Sequence, residues 1–395
     1  MSRSIVHMDL DTFFVSVERL KDSRLVGKPV IVGGTGARGV VASCSYEARL
    51  MGVHSAMPIR IARNLCPDAI VVRGDYEHYS YYSNIITGLI EENVPLYEKS
   101  SVDEFYIDMT GMEKFFGTYK YIRELREKII RETGLPISFG LSENKTVSKV
   151  ATGEAKPNNY MKIDYGIEKQ FLAPLPVKKI PMVGDVTSQL LKKMGIVHIK
   201  TVQEMPQQVM HNILGENGKT IWRKANGIDS TPVEPYSERK SISSEETFDS
   251  DTIDIRKIKT ILSAMTEKLA FQLRKENKLA SVVTVKIRYS DFDTHTKQLR
   301  IPYTSTDHTL IKIVKEMFDK LYERRVLIRL IGVKFSGLVN GGYQINLLED
   351  SVELIQLYQE MDYVRKRFGD KAVQRVCAVG YEFKAVDPGR GRKQY

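Results

Sequence analysis

The sequence predicts an α+β protein of several domains. Its 395 residues are too many for one ordinary hydrophobic core. Short β-branched runs alternate with segments of helical periodicity up to about residue 165, give way to short helices, and return after a proline-containing linker. A composition of 42% hydrophobic and 27% charged residues is typical of a globular chain.

The first part of the chain alternates strands and helices. A strand, SIVHMDL, leads into a helix, DTFFVSVERL, and Asp11 is placed to cap the N-terminus of that helix. KPVIVGG and RGVVASCS predict a hairpin, followed by helices in YEARLMGV, PIRIARNLC and YSYYSNIITGLIEENV. The remaining elements are a strand in VDEFYIDM, a helix in YKYIRELREKIIRETG, a strand in PISFGLS and a helix in NKTVSKVATGEAKP that ends before Pro157.

The middle of the chain predicts short helices only. IPMVGDVTSQLLKKMGI joins two of them through a glycine turn, and TVQEMPQQVMHNILG and GKTIWRKANGID follow. The next segment, STPVEPYSERKS, contains two prolines and many polar residues. It is typical of a linker between domains.

The last third predicts a smaller α+β domain and a tail. SISSEETF is a strand, 252–277 a long helix, ASVVTVKIRYS and THTKQLRIPY a hairpin, 306–325 a helix and RLIGVKFSGL a strand. Residues 341–395 are rich in charge and predict one helix.

The bulk properties indicate an intracellular protein with a polyanionic partner. The net charge of +10 and the pI of about 9.2 favour nucleic acid or an anionic surface. No apolar run approaches the ~20 residues of a membrane span, and the start lacks the apolar stretch of a secretory signal. The three cysteines fit no metal or disulfide spacing. We therefore expect a cytoplasmic protein with reduced thiols.

Three acidic residues lie among strand residues. Asp9 belongs to the first strand, and Asp103 and Glu104 open VDEFYIDM. Such carboxylates are typical ligands of Mg²⁺ that also contacts substrate phosphates. On a regular strand two adjacent residues point to opposite faces, so Asp103 and Glu104 can share a site only if the chain turns there. Caps, turns and salt bridges are the other explanation of these acids, and we favour it for Asp11 and Asp108.

Two glycine-containing segments imitate phosphate-binding loops. Gly34–Gly39 matches G-x-G-x-x-G, but the strand-like VVASCS follows it where a dinucleotide-binding fold needs a helix. GENGKT resembles the end of a phosphate loop, but Ile213 stands where the first glycine is required. Neither segment supports nucleotide binding.

Six motifs occur in one order along the chain: HMDLDTFFVSVE, SYEARLMGVHSAMP, SVDEFYIDMTG, NKTVSKVATGEAKPNN, GIDSTPVEP and KSISSEETF. Together they resemble the Y-family of translesion DNA polymerases, in its bacterial branch, from residue 4 to about 340. The resemblance implies template-directed, low-fidelity deoxynucleotidyl transfer with two Mg²⁺ ions, for which Mn²⁺ could substitute, and no proofreading exonuclease.

The resemblance implies a right-hand architecture: a ferredoxin-like palm, small fingers, a helical thumb with a helix-hairpin-helix, and an α+β little finger. The boundaries are palm 1–11 and 78–166, fingers 12–77, thumb 167–233, linker 234–241, little finger 242–340 and C-terminal tail 341–395. In the palm, Asp9, Asp103 and Glu104 match the catalytic acids that bind the metal ions. The backbone carbonyl of Met8 would be a further metal ligand.

A second set of residues matches the family's nucleotide contacts: Phe13, Phe14, Ser43, Tyr46, Arg49 and Lys156. Phe14 matches the steric gate, a ring that would collide with a ribose 2′-OH. Core packing is the other explanation of a phenylalanine at helical spacing. Small residues at Ala42, Ser43 and 55–58 imply a loose grip on the nascent base pair and hence low fidelity.

A third set is expected to bind primer–template DNA: Gly184, Arg239, Lys240, Lys286, Arg288, Arg300 and Lys334. Gly184 lies in the helix-hairpin-helix, where Met182 replaces the usual first glycine. In VVTVKIRY and IGVKFSG apolar and polar residues alternate, so one sheet face would pack on helices and the other would carry basic side chains towards phosphates.

The tail contains a possible partner motif. Gln344, Leu347 and Leu348 resemble the peptide that docks on the bacterial sliding clamp, although Leu348 replaces the usual phenylalanine. We expect a monomer that is not bound to membranes. Two other functions remain open from the residues alone: a non-catalytic DNA-binding scaffold with this fold, and a palm-type nucleotidyl cyclase. The intact acids argue against the first, and the thumb and basic little finger argue against the second.

Overall fold

The computed structural model describes residues 3–34, 36, 38–112, 117–235, 238–341, 352–369, 372, 373 and 375. The chain forms two compact units, the second of which begins at Glu238. Among the described helices, none is both long and apolar enough to cross a membrane.

The first unit contains the first eight strands and most of the helices. Its strands are β1 (Ile5–Leu10), β2 (Val30–Gly33), β3 (Val41–Cys44), β4 (Ile70–Val72), β5 (Leu96–Lys99), β6 (Glu104–Asp108), β7 (Ile137–Ser142) and β8 (Tyr160–Lys162). Its helices are α1 (Phe13–Lys21), α2 (Tyr46–Leu50), α3 (Ile59–Leu65), α4 (Tyr76–Asn93), α5 (Thr118–Thr133), α6 (Lys145–Ala155), α7 (Glu168–Leu172), α8 (Asp185–Lys193), α9 (Ile199–Glu204), α10 (Gln207–Leu214) and α11 (Glu216–Ala225).

A five-stranded sheet with the order β5-β6-β1-β7-β8 forms the palm. Its strands are antiparallel except β7 and β8, which are parallel and joined through α6. On one face, the apolar residues of β1 and its neighbours pack with residues of α4 and α5 in a shared core. On the other face α6 lies so close that a Cβ on Gly140 would stand 2.3 Å from the carbonyl oxygen of Ser148. Only glycine fits there, and the close approach brings the α6 lysines to the sheet.

The fingers are a small sheet with the order β3-β2-β4, and α2 and α3 share its core. The predicted hairpin of β2 and β3 is confirmed, with Ile31 opposite Cys44. Helix α1 belongs equally to the palm, because Phe13, Val15 and Val17 are buried in the palm core. A residue of α1 can therefore lie close to both the palm and the fingers.

The thumb is built from α7 to α11 and short connecting turns, and its mainly helical content is as the sequence predicts. Of the two helices predicted to meet at the glycine turn, only α8 is an α-helix; the element before the turn is a short 3₁₀ turn, Val177–Lys179. Its apolar core includes Leu191, Met210 and Ile221 and continues into Val147 and Val150 of α6. The thumb is thus packed on the same helix that covers the palm sheet.

The second unit is the little finger, with strands β9 (Ser241–Thr252), β10 (Lys278–Tyr289), β11 (Thr294–Thr304) and β12 (Ile328–Asn340) in the order β11-β10-β12-β9. Its helices are α12 (Ile255–Lys275), α13 (Asp307–Leu321) and α14 (Val352–Phe368). The predicted alternation is confirmed: Val283, Val285 and Ile287 are completely buried in the core that α12 and α13 cover.

Buried ion pairs attach α14 to the rest of the little finger. Arg274 of α12 lies 2.7 Å from an Asp307 oxygen and 2.6 Å from an Asp362 oxygen of α14, and all three side chains are almost inaccessible to water. Arg365 of α14 pairs in the same way with Glu267 of α12. Because breaking such a pair leaves a buried charge without its partner, this arrangement specifies one docking position for the helix.

One lysine in the palm lies in surroundings that disfavour its charge. Lys99, at the end of β5, donates to the Thr87 hydroxyl at 2.9 Å and lies 5.8 Å from the centre of the Phe105 ring. Burial lowers the pKa of Lys99 to about 8. The folded state therefore binds fewer protons than the unfolded state between about pH 8 and pH 10.5, the ordinary value for lysine.

We predict that Lys99→Met stabilises the protein at neutral pH, by on the order of 2 kcal/mol, because it removes the cost of a poorly solvated ammonium. The gain should shrink as the pH rises from 8 towards 10.5, where the unfolded lysine also loses its proton. Denaturant unfolding at several pH values measures the free energy, with Lys120→Met on the exposed face of α5 as control. An equal and pH-independent change in both variants would contradict the prediction.

Candidate active site

Strand pairing places two of the predicted acids on one face of the palm sheet. Asp9 of β1 lies directly opposite Glu104 of β6. Residues that face each other across antiparallel strands project to the same side of the sheet, with Cβ atoms about 5 Å apart. Both side chains are largely but not completely withdrawn from water, with 17% and 23% exposure.

The chain turns where the sequence required it to turn. β5 and β6 form a hairpin whose tip, Ser100–Asp103, is closed by a hydrogen bond of 2.9 Å from the Ser100 N–H to the Glu104 carbonyl. The Ser101 hydroxyl accepts from the Glu104 N–H at 3.1 Å and donates to Asp103 Oδ1 at 2.5 Å. Asp103 is therefore not on the regular strand, and alternation does not force it away from Glu104.

The three acids are close enough to influence one another's ionisation. Burial, opposed by the positive charge of Lys156 and assisted by the nearby charges of Glu104 and Asp103, raises the pKa of Asp9 to about 7. Burial likewise raises the pKa of Asp103, with Glu104 contributing in the same direction. Carboxylates that raise one another's pKa are short of positive charge, and a cation between them would relieve the repulsion.

Two lysine ammonium groups now provide positive charge at this site. Lys156 Nζ lies 2.5 Å from Asp9 Oδ1. Lys149 Nζ, from α6, contacts both oxygens of Glu104 at 2.8 and 2.7 Å. In the described part of the chain, no three His, Cys, Asp or Glu side chains already stand in a metal-binding arrangement. The donor set nevertheless fits a hard divalent cation, because it consists of carboxylate oxygens that are paired with ammonium groups rather than with each other.

Sequence reasoning missed Lys149. Its signal is the repeat of lysines at 145 and 149, one helical turn apart, which places both on one face of α6. Lys145 pairs with Glu98 at 2.7 Å, and Lys149 pairs in the same way with Glu104, also at 2.7 Å. The sequence alone could not show that this helix face meets the acidic edge of the sheet.

The prediction for Asp11 is wrong. The residue that precedes α1 as its N-cap is Thr12, which has left-handed backbone angles, and no side chain caps the helix. Asp11 is instead buried at 1% exposure. Its carboxylate accepts from the Ser138 hydroxyl at 2.8 Å and from the Asn158 N–H at 2.5 Å. The left-handed turn at Thr12 directs Asp11 into the palm, away from the helix that it was expected to cap.

The fingers bring two of the predicted triphosphate contacts towards the acids. Tyr46 and Arg49 lie on one side of α2, and the Arg49 guanidinium stands 5.2 Å from the centre of the Tyr46 ring. The Tyr46 hydroxyl lies 3.4 Å from Asp11 Oδ1, and burial together with that carboxylate raises the pKa of Tyr46. Ser43 on β3, three residues before Tyr46 in the sequence, is buried. Arg49 is exposed and available to a ligand.

The ring of Phe14, the predicted steric gate, is held in place by a stacked tyrosine. The Phe14 ring is stacked on Tyr79 of α4, with the ring centres 4.2 Å apart and the planes within 13°. Tyr79 is buried and donates its hydroxyl to Glu18 at 2.6 Å. Phe14 remains half-buried, whereas its neighbour Phe13 is a core residue with 3% exposure. Phe14 is therefore the one of the pair whose ring can meet a ligand.

The predicted DNA-binding residues lie in three separate places. In the thumb, Gly184 is exposed before α8, and Met182 has a left-handed φ of 84°. That value explains why a glycine would suit position 182, although the turn forms without one. In the linker, Lys240 is exposed, but Arg239 pairs with Glu276 at 2.7 Å.

The little-finger cations share one face of its sheet. Lys334 pairs in register with Thr284, two residues from Lys286 and four from Arg288, while Arg300 faces Val282. These four side chains therefore project away from the two helices. Glu245 lies in the same face and holds Lys286 at 2.9 Å. Gln344, Leu347 and Leu348 lie outside the described residues.

Comparisons with known protein families give one consistent result. The model of the impB/mucB/samB family matches residues 8–153, and the model of the C-terminal domain of that family matches residues 239–347. The first match spans all three acids, Tyr46 and Arg49. The second spans the little finger.

Individual relatives agree. The chain is 37% identical over 379 residues to a DNA polymerase IV of Dehalococcoides mccartyi (strain CBDB1). This alignment covers 94% of this chain and 96% of that protein. It is 38% identical over 342 residues to a DNA polymerase IV of Exiguobacterium sibiricum, covering 86% and 95%. Among solved structures, a "Y-family DNA polymerase chimera Dbh-Dpo4(243-245)-Dbh" matches with a TM-score of 0.77 and 26% identity, over 86% of this chain and all of the other. An "Insertion ternary complex of Dbh DNA polymerase" matches with a TM-score of 0.62 and 26% identity over the same shares.

Proposed function

This chain belongs to the Y-family of DNA polymerases, and on that premise we propose that Asp9, Asp103 and Glu104 bind two Mg²⁺ ions for low-fidelity synthesis past damaged template bases, without proofreading. The chain is a DNA-directed DNA polymerase. The observation that carries the proposal is the convergence of three acids at one edge of the palm sheet: Asp9 lies opposite Glu104 across two strands, and Asp103 lies in the adjoining hairpin tip. Burial and the neighbouring charge of Glu104 raise the pKa values of Asp9 and Asp103.

The acids supply a place for divalent cations, with the Met8 carbonyl as a further ligand. When bound, such ions activate the attacking oxygen and neutralise charge on the triphosphate. The protein's own residues do the positioning. Lys156 and Arg49 offer charge-assisted hydrogen bonds to phosphate oxygens, and the hydroxyls of Tyr46 and Ser43 offer neutral ones. Since phosphoryl transfer depends mainly on positioning and charge stabilisation, these are the functions that the site requires.

The proposal extends to DNA and to fidelity. The exposed turn at Gly184 and the basic face of the little finger, with Lys334 and Arg300, would follow the phosphate backbone without reading its sequence. Small side chains at Ala42 and 55–58 would contact the nascent base pair weakly. We expect the protein to act in the cytoplasm as a monomer on primer–template DNA with dNTPs.

We predict that Asp103→Ala abolishes primer extension with Mg²⁺, by at least about a hundred-fold, which is the scale of loss for a preorganised electrostatic group. The assay uses an undamaged and a lesion-bearing template. Asp108→Ala is the matched control, because Asp108 lies at the far end of β6 from Asp103 and its carboxylate accepts only from the Thr110 N–H among its described contacts. Full activity of Asp103→Ala, with unchanged thermal stability, would sink the assignment of the metal site.

We predict that Phe14→Ala raises the ratio of rNTP to dNTP incorporation by about 10- to 100-fold, because the ring no longer excludes the 2′-OH. The ratio of kcat/KM for the two nucleotides measures this. Val17→Ala on the same helix is the control, since Val17 is fully buried in the palm core and should affect stability alone. An unchanged ratio in Phe14→Ala would refute the steric gate.

We also propose that Gln344, Leu347 and Leu348 bind the bacterial sliding clamp. Gln344→Ala combined with Leu347→Ala should remove clamp-dependent processivity and leave basal synthesis intact. Gln356→Ala with Leu357→Ala is a control of the same composition on the exposed side of α14. Clamp stimulation that survives the first double variant, or is lost equally in both, would contradict this assignment.

A further inference from the structure

Asp11 is a buried carboxylate whose surroundings join several parts of the site. Its side chain is 1% exposed. Four polar groups surround it: the Asn158 N–H at 2.5 Å and the Ser138 hydroxyl at 2.8 Å on Oδ2, and the Tyr46 hydroxyl at 3.4 Å and Lys156 Nζ at 3.6 Å on Oδ1. Burying a carboxylate is costly unless such partners compensate for the lost water. The Asp11 carboxylate therefore holds these four groups in position, just as they stabilise its buried charge.

One side of the carboxylate sets the position of Lys156. The Asn158 N–H belongs to the turn that follows Lys156, and Asn158 has a left-handed φ of 47°. On the opposite side of that turn, Arg126 donates to the Asn158 carbonyl at 2.7 Å. Asp11 and Arg126 thus hold one residue, Asn158, by its backbone N–H and its backbone C=O. The backbone that carries Lys156 is held before any ligand arrives.

The other side of the carboxylate faces two nucleotide contacts. Lys156 Nζ is 2.5 Å from Asp9 and 3.6 Å from Asp11, so its ammonium lies between two acids. When Asp9 engages a metal ion, Asp11 still provides a negative neighbour for the ammonium. Tyr46, on the fingers, approaches the same Oδ1 atom. One carboxylate in the palm is therefore shared by a residue of the fingers and a residue of the α6–β8 connection.

We propose that Asp11 is a positioning residue for the incoming nucleotide: its carboxylate presets Lys156 and Tyr46 for the triphosphate. This inference rests on the proposed triphosphate contacts of Lys156 and Tyr46. A purely structural Asp11 would affect stability alone. A positioning Asp11 acts through Lys156, so removing both must cost less than the sum of removing each.

The test is a double-mutant cycle of Asp11→Asn and Lys156→Ala in the full-length protein, with the KM for a dNTP, kcat and the Kd for primer–template DNA measured in Mg²⁺. Asparagine keeps the size of the side chain but loses the charge. Asp11→Asn alone should raise the KM for dNTP by roughly tenfold, the scale of one lost charge-assisted hydrogen bond, and leave the Kd for DNA unchanged. In the Lys156→Ala background the same substitution should change the KM by less than about twofold.

Ser138→Ala is the matched control, because it removes a neutral partner of Asp11 and leaves the carboxylate and its contacts to Asn158 and Lys156. It should lower the melting temperature without raising the KM for dNTP. If Asp11→Asn does not fold, Asp11→Ser, which is also uncharged, takes its place in the cycle with the same expected outcome.

Three results would overturn the inference. They are an unchanged KM in Asp11→Asn, an equal rise of KM with and without Lys156, and a rise in Ser138→Ala as large as that in Asp11→Asn. An unchanged KM in Lys156→Ala alone would contradict the proposed triphosphate contact and remove the basis of the inference. The single variants therefore separate failure of the proposed function from failure of this inference.

Discussion

The repulsion among three partly buried carboxylates is the constraint on which the active site depends. Asp9, Asp103 and Glu104 lie at one edge of the palm sheet, where burial and the neighbouring carboxylates raise the pKa values of Asp9 and Asp103. The fold compensates with cations from α6 and the residue that follows it, Lys149 and Lys156. Burial, assisted by the charges of these lysines, also lowers the pKa of His7, which is completely enclosed on β1 two residues before Asp9. Acids and lysines on this face of the sheet thus offset one another's charges, and the histidine among them stays neutral.

That balance explains several features that appear unrelated in sequence. Gly140 is needed because α6 must lie close to the sheet for its lysines to reach the acids. Ser101 is needed because its hydroxyl closes the hairpin tip that lets Asp103 depart from strand alternation. The exposed surfaces follow a different rule. The little finger separates its charges by strand alternation alone, with apolar residues towards α12 and α13 and cations on the other face.

The parts of the molecule that follow local rules could be predicted from the sequence, and those that depend on tertiary contacts could not. Alternation in β10 and β12 gave the correct buried residues, because a period of two maps directly onto a sheet with one covered face. The requirement for a turn before Glu104 also followed from alternation. Asp11 was mispredicted, because an N-cap is a local preference and four partners that are distant in sequence outweigh it. The role of Lys149 depends on where α6 packs, which periodicity does not specify.

The short segment from Asp9 to Phe14 concentrates the functions of the site. In the proposed function, these six residues supply an acid for the metal ions, an acid beside the nucleotide contacts and a ring beneath the sugar, and the left-handed Thr12 lies between the two acids and the ring. A β-branched residue in that conformation is uncommon and is retained where the surroundings dictate the backbone. Here the hydrogen bond from the Ser16 hydroxyl to the Asp11 carbonyl, 2.7 Å, and the buried Phe13 fix the turn on either side. Because the groups share one rigid turn, substitutions within it should couple to one another, and their effects on metal binding, nucleotide binding and sugar selection should not be additive.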